Sequence, residues 1–142
     1  MTDFDAGLAV RRAVLGDEYV DRALARQDDF TAPFQDFITR YAWGDVWGRH
    51  GLDRRTRSCV TVALLAGLGH PAELAVHLRG ALRNGVTVEE LREVLLQTAV
   101  YAGVPAANTA FAVAQDVLGE PREPGGSQAG GASFDWGRKD RR

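Results

Sequence analysis

Glu73 and His77 are the two residues of this sequence whose types and spacing best suit chemistry. They stand four positions apart in a predicted helix, and residues at i and i+4 share a helix face. An imidazole exchanges a proton near neutral pH without a metal, so with a nearby carboxylate it could hold and protonate a small anionic substrate. Solvated surface pairs have the same spacing, so spacing alone leaves both interpretations open.

The segments around this pair carry helix signals and almost no strand signals. Asp53 is a candidate N-cap, and Pro71 fits the first position of a helix, where its missing N–H does no harm. Thr87 and Glu90 form a capping-box pattern, in which each side chain satisfies the other's exposed amide. The sequence therefore predicts an all-α fold. The predicted helices cover 30–47, the segment from Asp53 to Gly69 with Val60, Leu64 and Leu68 on one apolar stripe, 71 to about 83, a helix from Thr87 through Ala99, and a last one from Pro105 to Leu118.

Length, charge and cysteine content narrow the class of protein. The chain has 142 residues, enough for one domain with its own core, and a formal net charge of −2. It offers no basic field for nucleic acid, and no apolar run approaches the roughly 18 residues of a membrane span. The acidic start, Met1 to Asp5, does not resemble a signal peptide, so we expect the chain in the cytoplasm. The single cysteine, Cys59, excludes an intrachain disulfide, a zinc knuckle and a C-x-x-C pair, and we expect it to be a small buried hydrophobe.

The composition changes abruptly near residue 120. The segment 120–142 holds five glycines and two prolines and ends in a run of charges, a composition that cannot bury enough apolar surface to offset ordering. We therefore expect one helical domain at 1–119 and a flexible, disordered C-terminal tail at 120–142. Phe134 and Trp136 in this tail could dock on a neighbouring subunit or simply belong to a disordered segment.

Four motifs occur in order along the helical domain. They are Tyr41–Asp53 (YAWGDVWGR followed by GLD), Glu73–His77 (ELxxH), Asn84–Glu90 (NGVTxEE) and Tyr101–Ala107 (YAGVPAA). Together they resemble the carboxymuconolactone decarboxylase family over about residues 4–118. One departure is His50, where a proline is common after Arg49, so the local turn is less well defined by the resemblance.

The resemblance implies an all-helical bundle that assembles as a homo-oligomer, a trimer or a hexamer, and needs no cofactor. The implied reaction is loss of CO2 from 4-carboxymuconolactone, a small dicarboxylate lactone, to give 3-oxoadipate enol-lactone in the protocatechuate branch of the β-ketoadipate pathway. Related alkylhydroperoxidase-like proteins carry C-x-x-C followed four residues later by His. Here His70 and Glu73 stand in the cysteine positions and His77 matches the histidine, so no dithiol can be oxidised and reduced again.

The implied reaction needs a proton donor or an oxyanion donor, and we assign that role to His77. Glu73 would orient the imidazole or relay the proton. The ring double bond and lactone carbonyl of the substrate accept the electrons, so neither a metal nor pyridoxal is required.

The two carboxylates of the substrate call for guanidinium groups, which bind carboxylates bidentately. Candidates are Arg49, Arg54 and Arg57, although Arg54 and Arg57 also suit an ordinary solvated helix face. Trp47 and Tyr101, with Trp43, could wall the pocket or belong to the core or a subunit interface.

Two other functions are compatible with the sequence. A relative with the same fold could act on another lactone or a keto acid, because a fold does not fix the reaction. A non-catalytic helical oligomer could instead bind a ligand or partner, in which case Glu73 and His77 would be surface residues without turnover.

Overall fold

Seven α-helices and one π-helix make up the computed structural model, which describes residues 3–121. The all-α prediction is confirmed over this range, where no strand occurs. The predicted tail, with Phe134 and Trp136, lies outside the described residues apart from its first two positions. The α-helices are α1 (Asp3–Leu15), α2 (Asp17–Ala25), α3 (Ala32–Ile38), α4 (Arg54–Leu68), α5 (Pro71–Arg83), α6 (Val88–Ala102) and α7 (Val104–Leu118), and the π-helix spans Thr39–Trp47.

The predicted helix ends are confirmed where local chemistry defines them. The Asp53 carboxylate accepts a hydrogen bond of 2.7 Å from the Thr56 N–H at the start of α4. Gly69 ends that helix in the left-handed conformation, with φ 77°. The capping box of α6 forms in full, because Thr87 and Glu90 each accept a 3.1 Å hydrogen bond from the other's backbone N–H.

The segment 30–47 differs from the single amphipathic helix predicted for it. An Asp28 turn precedes α3, and from Thr39 onward the backbone continues as a π-helix. Most of the apolar residues that recur at helical spacing in this segment are also exposed. The exposed ones are Phe30, Phe34, Phe37, Tyr41 and Val46. Packing against α1 explains why Trp43 turns inward instead, since Gly7 lies so close to the π-helix that a Cβ there would overlap the Thr39 carbonyl oxygen.

In the described part of the chain, helices α4 to α7 surround the larger of two apolar clusters. Its fully buried members include Val62, Leu74, Leu78, Leu91 and Leu95. The smaller cluster joins α1, α2 and the π-helix through Val14, Leu15, Val20 and Trp43. Helix α5 belongs to both, because Leu74 and Leu78 face the larger cluster while Val76 packs against the smaller one. Residues on α5 are therefore held at the junction of the two clusters.

The apolar stripe predicted on α4 faces outward in this chain. Val60, Leu64 and Leu68 are 47%, 56% and 68% exposed, whereas Ser58, Val62 and Ala66 form the buried face. None of the helices between residues 3 and 121 combines the length and the apolar character of a membrane span.

Candidate active site

A pocket of about 260 Å³ opens at the junction of the two clusters. This volume lies slightly below the usual range for pockets that hold drug-sized ligands, so it suits a small molecule. Helices α1 to α5 and the π-helix all contribute side chains. The lining residues are Arg11, Leu15, Tyr19, Ile38, Ala42, Trp43, Trp47, Thr61, Glu73, Val76 and His77.

Two tryptophans of the π-helix hold the imidazole of His77. The His77 ring stacks on Trp43 at 6.0 Å between centroids with an 8° interplanar angle, and on Trp47 at 6.2 Å and 19°. The two indoles also stack on each other at 5.2 Å. Such offset aromatic contacts fix ring orientation in addition to burying area. His77 is therefore a half-buried, oriented group on the pocket wall, not a free surface histidine.

Burial lowers the pKa of His77 from 6.5 to about 4, because the surrounding rings exclude the water that would solvate an imidazolium. The resting imidazole is thus neutral at pH 7, with one nitrogen able to donate a hydrogen bond and the other able to accept a proton. An anion bound beside the ring would raise this pKa again, since opposite charges favour the protonated form.

Glu73 lies one helical turn before His77 and also lines the pocket. Its side chain is exposed, and within residues 3–121 no hydrogen bond joins it to His77. The carboxylate is therefore in contact with both solvent and pocket, an arrangement suited to carrying a proton between them.

Arg11 is a pocket residue that the sequence analysis missed. It lies on α1, is only 4% exposed, and donates one hydrogen bond of 3.2 Å from its NH1 group to the Thr39 hydroxyl. Its Nε is buried without a hydrogen-bond partner. A signal was present in the sequence, because Leu8, Arg11 and Val14 recur at helical spacing and so place a charge on an apolar face.

The predicted arginines lie elsewhere. Arg49 and Arg54 are exposed, and neither lines the pocket of its own chain. Arg57 is half-buried one turn before the pocket residue Thr61, and its NH2 group donates to the Arg49 carbonyl at 3.5 Å. Tyr101 is 82% exposed at the end of α6 and is also outside the lining. The structure thus brings together Glu73, His77 and Trp47 but not these four residues.

The remaining candidate groups lie outside the pocket. His50 and His70 are exposed, and half-buried Cys59 packs against the larger apolar cluster. In the part of the chain that the structure describes, no group of three or more His, Cys, Asp or Glu side chains is placed to hold a metal ion.

The sequence of this chain is similar to a known protein family and to individual known proteins. The model of the carboxymuconolactone decarboxylase family matches residues 32–116. A 4-carboxymuconolactone decarboxylase of Acinetobacter baylyi is 50% identical over 115 residues, which cover 81% of this chain and 86% of that protein. A nitrosuccinic acid decarboxylase of Metarhizium robertsii is 47% identical over 122 residues, or 86% of this chain and 85% of that protein. A 42-residue match to a 4-carboxymuconolactone decarboxylase of Pseudomonas putida is 60% identical, covering 30% of this chain and 88% of that sequence.

Proposed function

Because the chain belongs to the carboxymuconolactone decarboxylase family, we propose that it is a 4-carboxymuconolactone decarboxylase. It converts 4-carboxymuconolactone to 3-oxoadipate enol-lactone and CO2 in the protocatechuate branch of the β-ketoadipate pathway. The observation that carries this proposal is the 50% identity to the Acinetobacter baylyi enzyme over most of both chains. The pocket supports it, because His77 and Glu73 share one small cavity with an arginine.

The reaction begins with loss of CO2 from the ring carbon of the lactone. The electron pair of the broken C–C bond moves through the ring double bond into the lactone carbonyl and gives a dienolate. Protonation of the ring carbon beside that carbonyl then yields the enol-lactone. The protein must therefore orient two carboxylates, stabilise a developing oxyanion and deliver one proton. The substrate itself is the electron acceptor, so we propose a cofactor-free reaction.

His77 is the proposed proton donor. A dianionic substrate beside the imidazole raises its pKa from the resting value of about 4, so binding loads the ring with a proton. The imidazolium then stabilises the negative charge of the dienolate and transfers its proton to the ring carbon. Glu73, exposed at the mouth of the pocket and one turn away, relays the next proton from solvent.

We also propose that the enzyme is a homo-oligomer, a trimer or a hexamer. Among residues 3–121 two apolar sets are exposed in the single chain, and monomeric proteins rarely expose large contiguous apolar patches. One set is on α3 and the π-helix, with Phe34, Phe37 and Tyr41; the other is on α4 and α6, with Val60, Leu64, Leu68, Leu96 and Val100. A trimeric ring needs one kind of interface between its subunits, and stacking two rings into a hexamer needs a second kind. Two exposed apolar sets therefore suit the hexamer.

Assembly would also allow the other predicted substrate-binding residues to reach a pocket. Arg49, Arg54 and Tyr101 lie outside the pocket of their own chain, so as substrate-binding groups they would act on the pocket of a neighbour. Arg57, close to Thr61, would need only a side-chain movement. Sedimentation velocity with Leu64→Glu tests the assembly, because a charge on this stripe should shift the protein to smaller species. The proposal would be contradicted if the wild-type protein sediments as a monomer and Leu64→Glu does not change its sedimentation.

Nitrosuccinate is the second candidate substrate, favoured by the 47% identity to the Metarhizium robertsii decarboxylase. It is also a small dicarboxylate, with a nitro group that can accept the electrons left by CO2. The deciding experiment mixes the purified protein with each compound in EDTA and follows CO2 release, together with enol-lactone formation for the lactone. Rapid turnover of 4-carboxymuconolactone supports the main proposal, whereas turnover of nitrosuccinate alone selects the second. A folded protein that releases CO2 from neither compound contradicts both.

A further inference from the structure

Arg11 is a buried cation without a carboxylate partner. No carboxylate within residues 3–121 forms an ion pair with it, and its one hydrogen bond as donor goes to the neutral Thr39 hydroxyl. The next residue, Arg12, shows the contrast, because it is paired at the surface with Asp17 at 3.2 Å and Asp21 at 2.8 Å. A buried charge ordinarily needs a paired charge or several hydrogen bonds to offset its lost hydration.

Arg11 has unused bonding capacity and lines the pocket. Its Nε–H is buried without an acceptor among residues 3–121, and the residue lines the cavity that Glu73 and His77 also line. Close packing of Gly7 on the π-helix and the bond to Thr39 hold this stretch of α1 in place. A fixed guanidinium with a free donor is a ready site for a carboxylate, which it can bind with two parallel hydrogen bonds.

We propose that Arg11 binds the carboxylate that the substrate keeps, the one on its side arm. This inference rests on the proposed function and names the residue that orients the lactone. Arg11 does not suit the carboxylate that leaves. A cation bound there would stabilise the ground state more than a transition state in which that charge has moved into the ring. The side-arm carboxylate keeps its charge throughout the reaction.

The carboxylate that leaves needs surroundings without the positive charge of Arg11. One wall of the pocket is apolar and uncharged, the indole rings of Trp43 and Trp47, which stack on each other and on His77. A carboxylate against this wall is poorly solvated, and the charge that it releases moves toward the carbonyl. Arg11 is therefore a substrate-binding group that orients the lactone so that its ring-carbon carboxylate lies against these rings.

The test uses a ligand that binds without reacting, the lactone with its ring double bond reduced. Without that double bond, the electrons cannot reach the carbonyl. Isothermal titration compares this dicarboxylate with the same compound carrying a neutral carboxamide on the side arm. The proteins are wild type, Arg11→Gln, Arg11→Lys and, as the matched control from the neighbouring position, Arg12→Gln.

Wild type and Arg12→Gln should bind the dicarboxylate roughly 10- to 100-fold more tightly than the carboxamide, as expected for a charged hydrogen-bonded pair. Arg11→Gln should bind both ligands within about threefold of each other, and Arg11→Lys should fall between because it keeps the charge without the fork. A merely structural role would weaken both ligands alike and leave the ratio unchanged. If circular dichroism shows that Arg11→Gln does not fold, Arg11→Lys decides alone. The proposal then requires that Arg11→Lys prefer the dicarboxylate over the carboxamide less strongly than wild type does.

An unchanged ratio in the folded Arg11 variants, or no preference in wild type, would overturn the proposal. CO2 release by the wild-type protein is measured separately. The binding ratio therefore reports on Arg11 and turnover on the proposed function, so the failure of one is distinguishable from the failure of the other.

Discussion

The buried state of His77 makes the stability of this protein depend on pH in a way that one substitution should remove. Its pKa is about 4 in the folded chain, against 6.5 for an unperturbed histidine. Between these two values the unfolded chain binds a proton that the folded chain does not, so acid favours unfolding. The stabilisation is complete above about pH 6.5 and is lost as the pH falls toward about 4.

The size of the effect follows from the displacement of the pKa. One unit is worth about 1.4 kcal/mol, so at about pH 5, some 1.5 units below the unfolded value, the loss is about 2 kcal/mol relative to pH 8. His77→Gln keeps a polar side chain of similar reach but has no proton to gain. The variant should therefore lose about 2 kcal/mol less of its unfolding free energy than wild type over this interval.

Urea unfolding at about pH 8 and about pH 5 measures the difference, at one protein concentration because assembly contributes to stability. His50→Gln is the matched control, since His50 is exposed and outside the pocket, and it should keep the wild-type pH dependence. Carboxylates titrate in all three proteins and cancel in the comparison. Equal pH dependence of wild type and His77→Gln would refute the reasoning that burial keeps this imidazole neutral.

Two further predictions follow from the same geometry. Binding of the reduced dicarboxylate lactone near pH 6 should take up as much as about one proton per site, because the anion raises the pKa of His77. Titration calorimetry in buffers of different ionisation enthalpy measures this proton uptake. His77→Gln should abolish it. Gly7→Ala should destabilise the protein by about 1–3 kcal/mol, because the added methyl overlaps the Thr39 carbonyl, whereas Gly51→Ala, with open space around it, should change little. Binding heats that do not depend on the buffer would contradict the predicted proton uptake. Equal unfolding midpoints for Gly7→Ala and Gly51→Ala would contradict the predicted packing defect.

Local chemistry made much of this fold predictable. The ends of α4 and α6 depend on Asp53, Gly69 and the Thr87 capping box, whose bonds form within a few residues and therefore leave a signature in the sequence. The helical spacing of Glu73 and His77 is of the same kind, and it correctly places both on one side of α5.

Features that depend on packing between distant segments were not predictable in this way. The π-helix and the inward turn of Trp43 depend on contact with α1, a helix for which no boundaries were predicted. The stripe with Leu64 satisfies helical periodicity equally well whether it faces the core or a neighbouring subunit. Arg11 lies outside the family motifs that pointed to Arg49, Arg54 and Arg57, and its signal in the sequence is a charge on an apolar helix face.

We propose that decarboxylation takes place in the pocket at His77. The most direct measurement is the rate of CO2 release from saturating 4-carboxymuconolactone, with EDTA present, by wild type, His77→Gln and the His50→Gln control. We predict that His77→Gln lowers turnover by a factor on the order of 10² to 10⁴ while its sedimentation and circular dichroism stay those of wild type, and that the control remains active. A folded His77→Gln protein within a few fold of an active wild type would contradict the account.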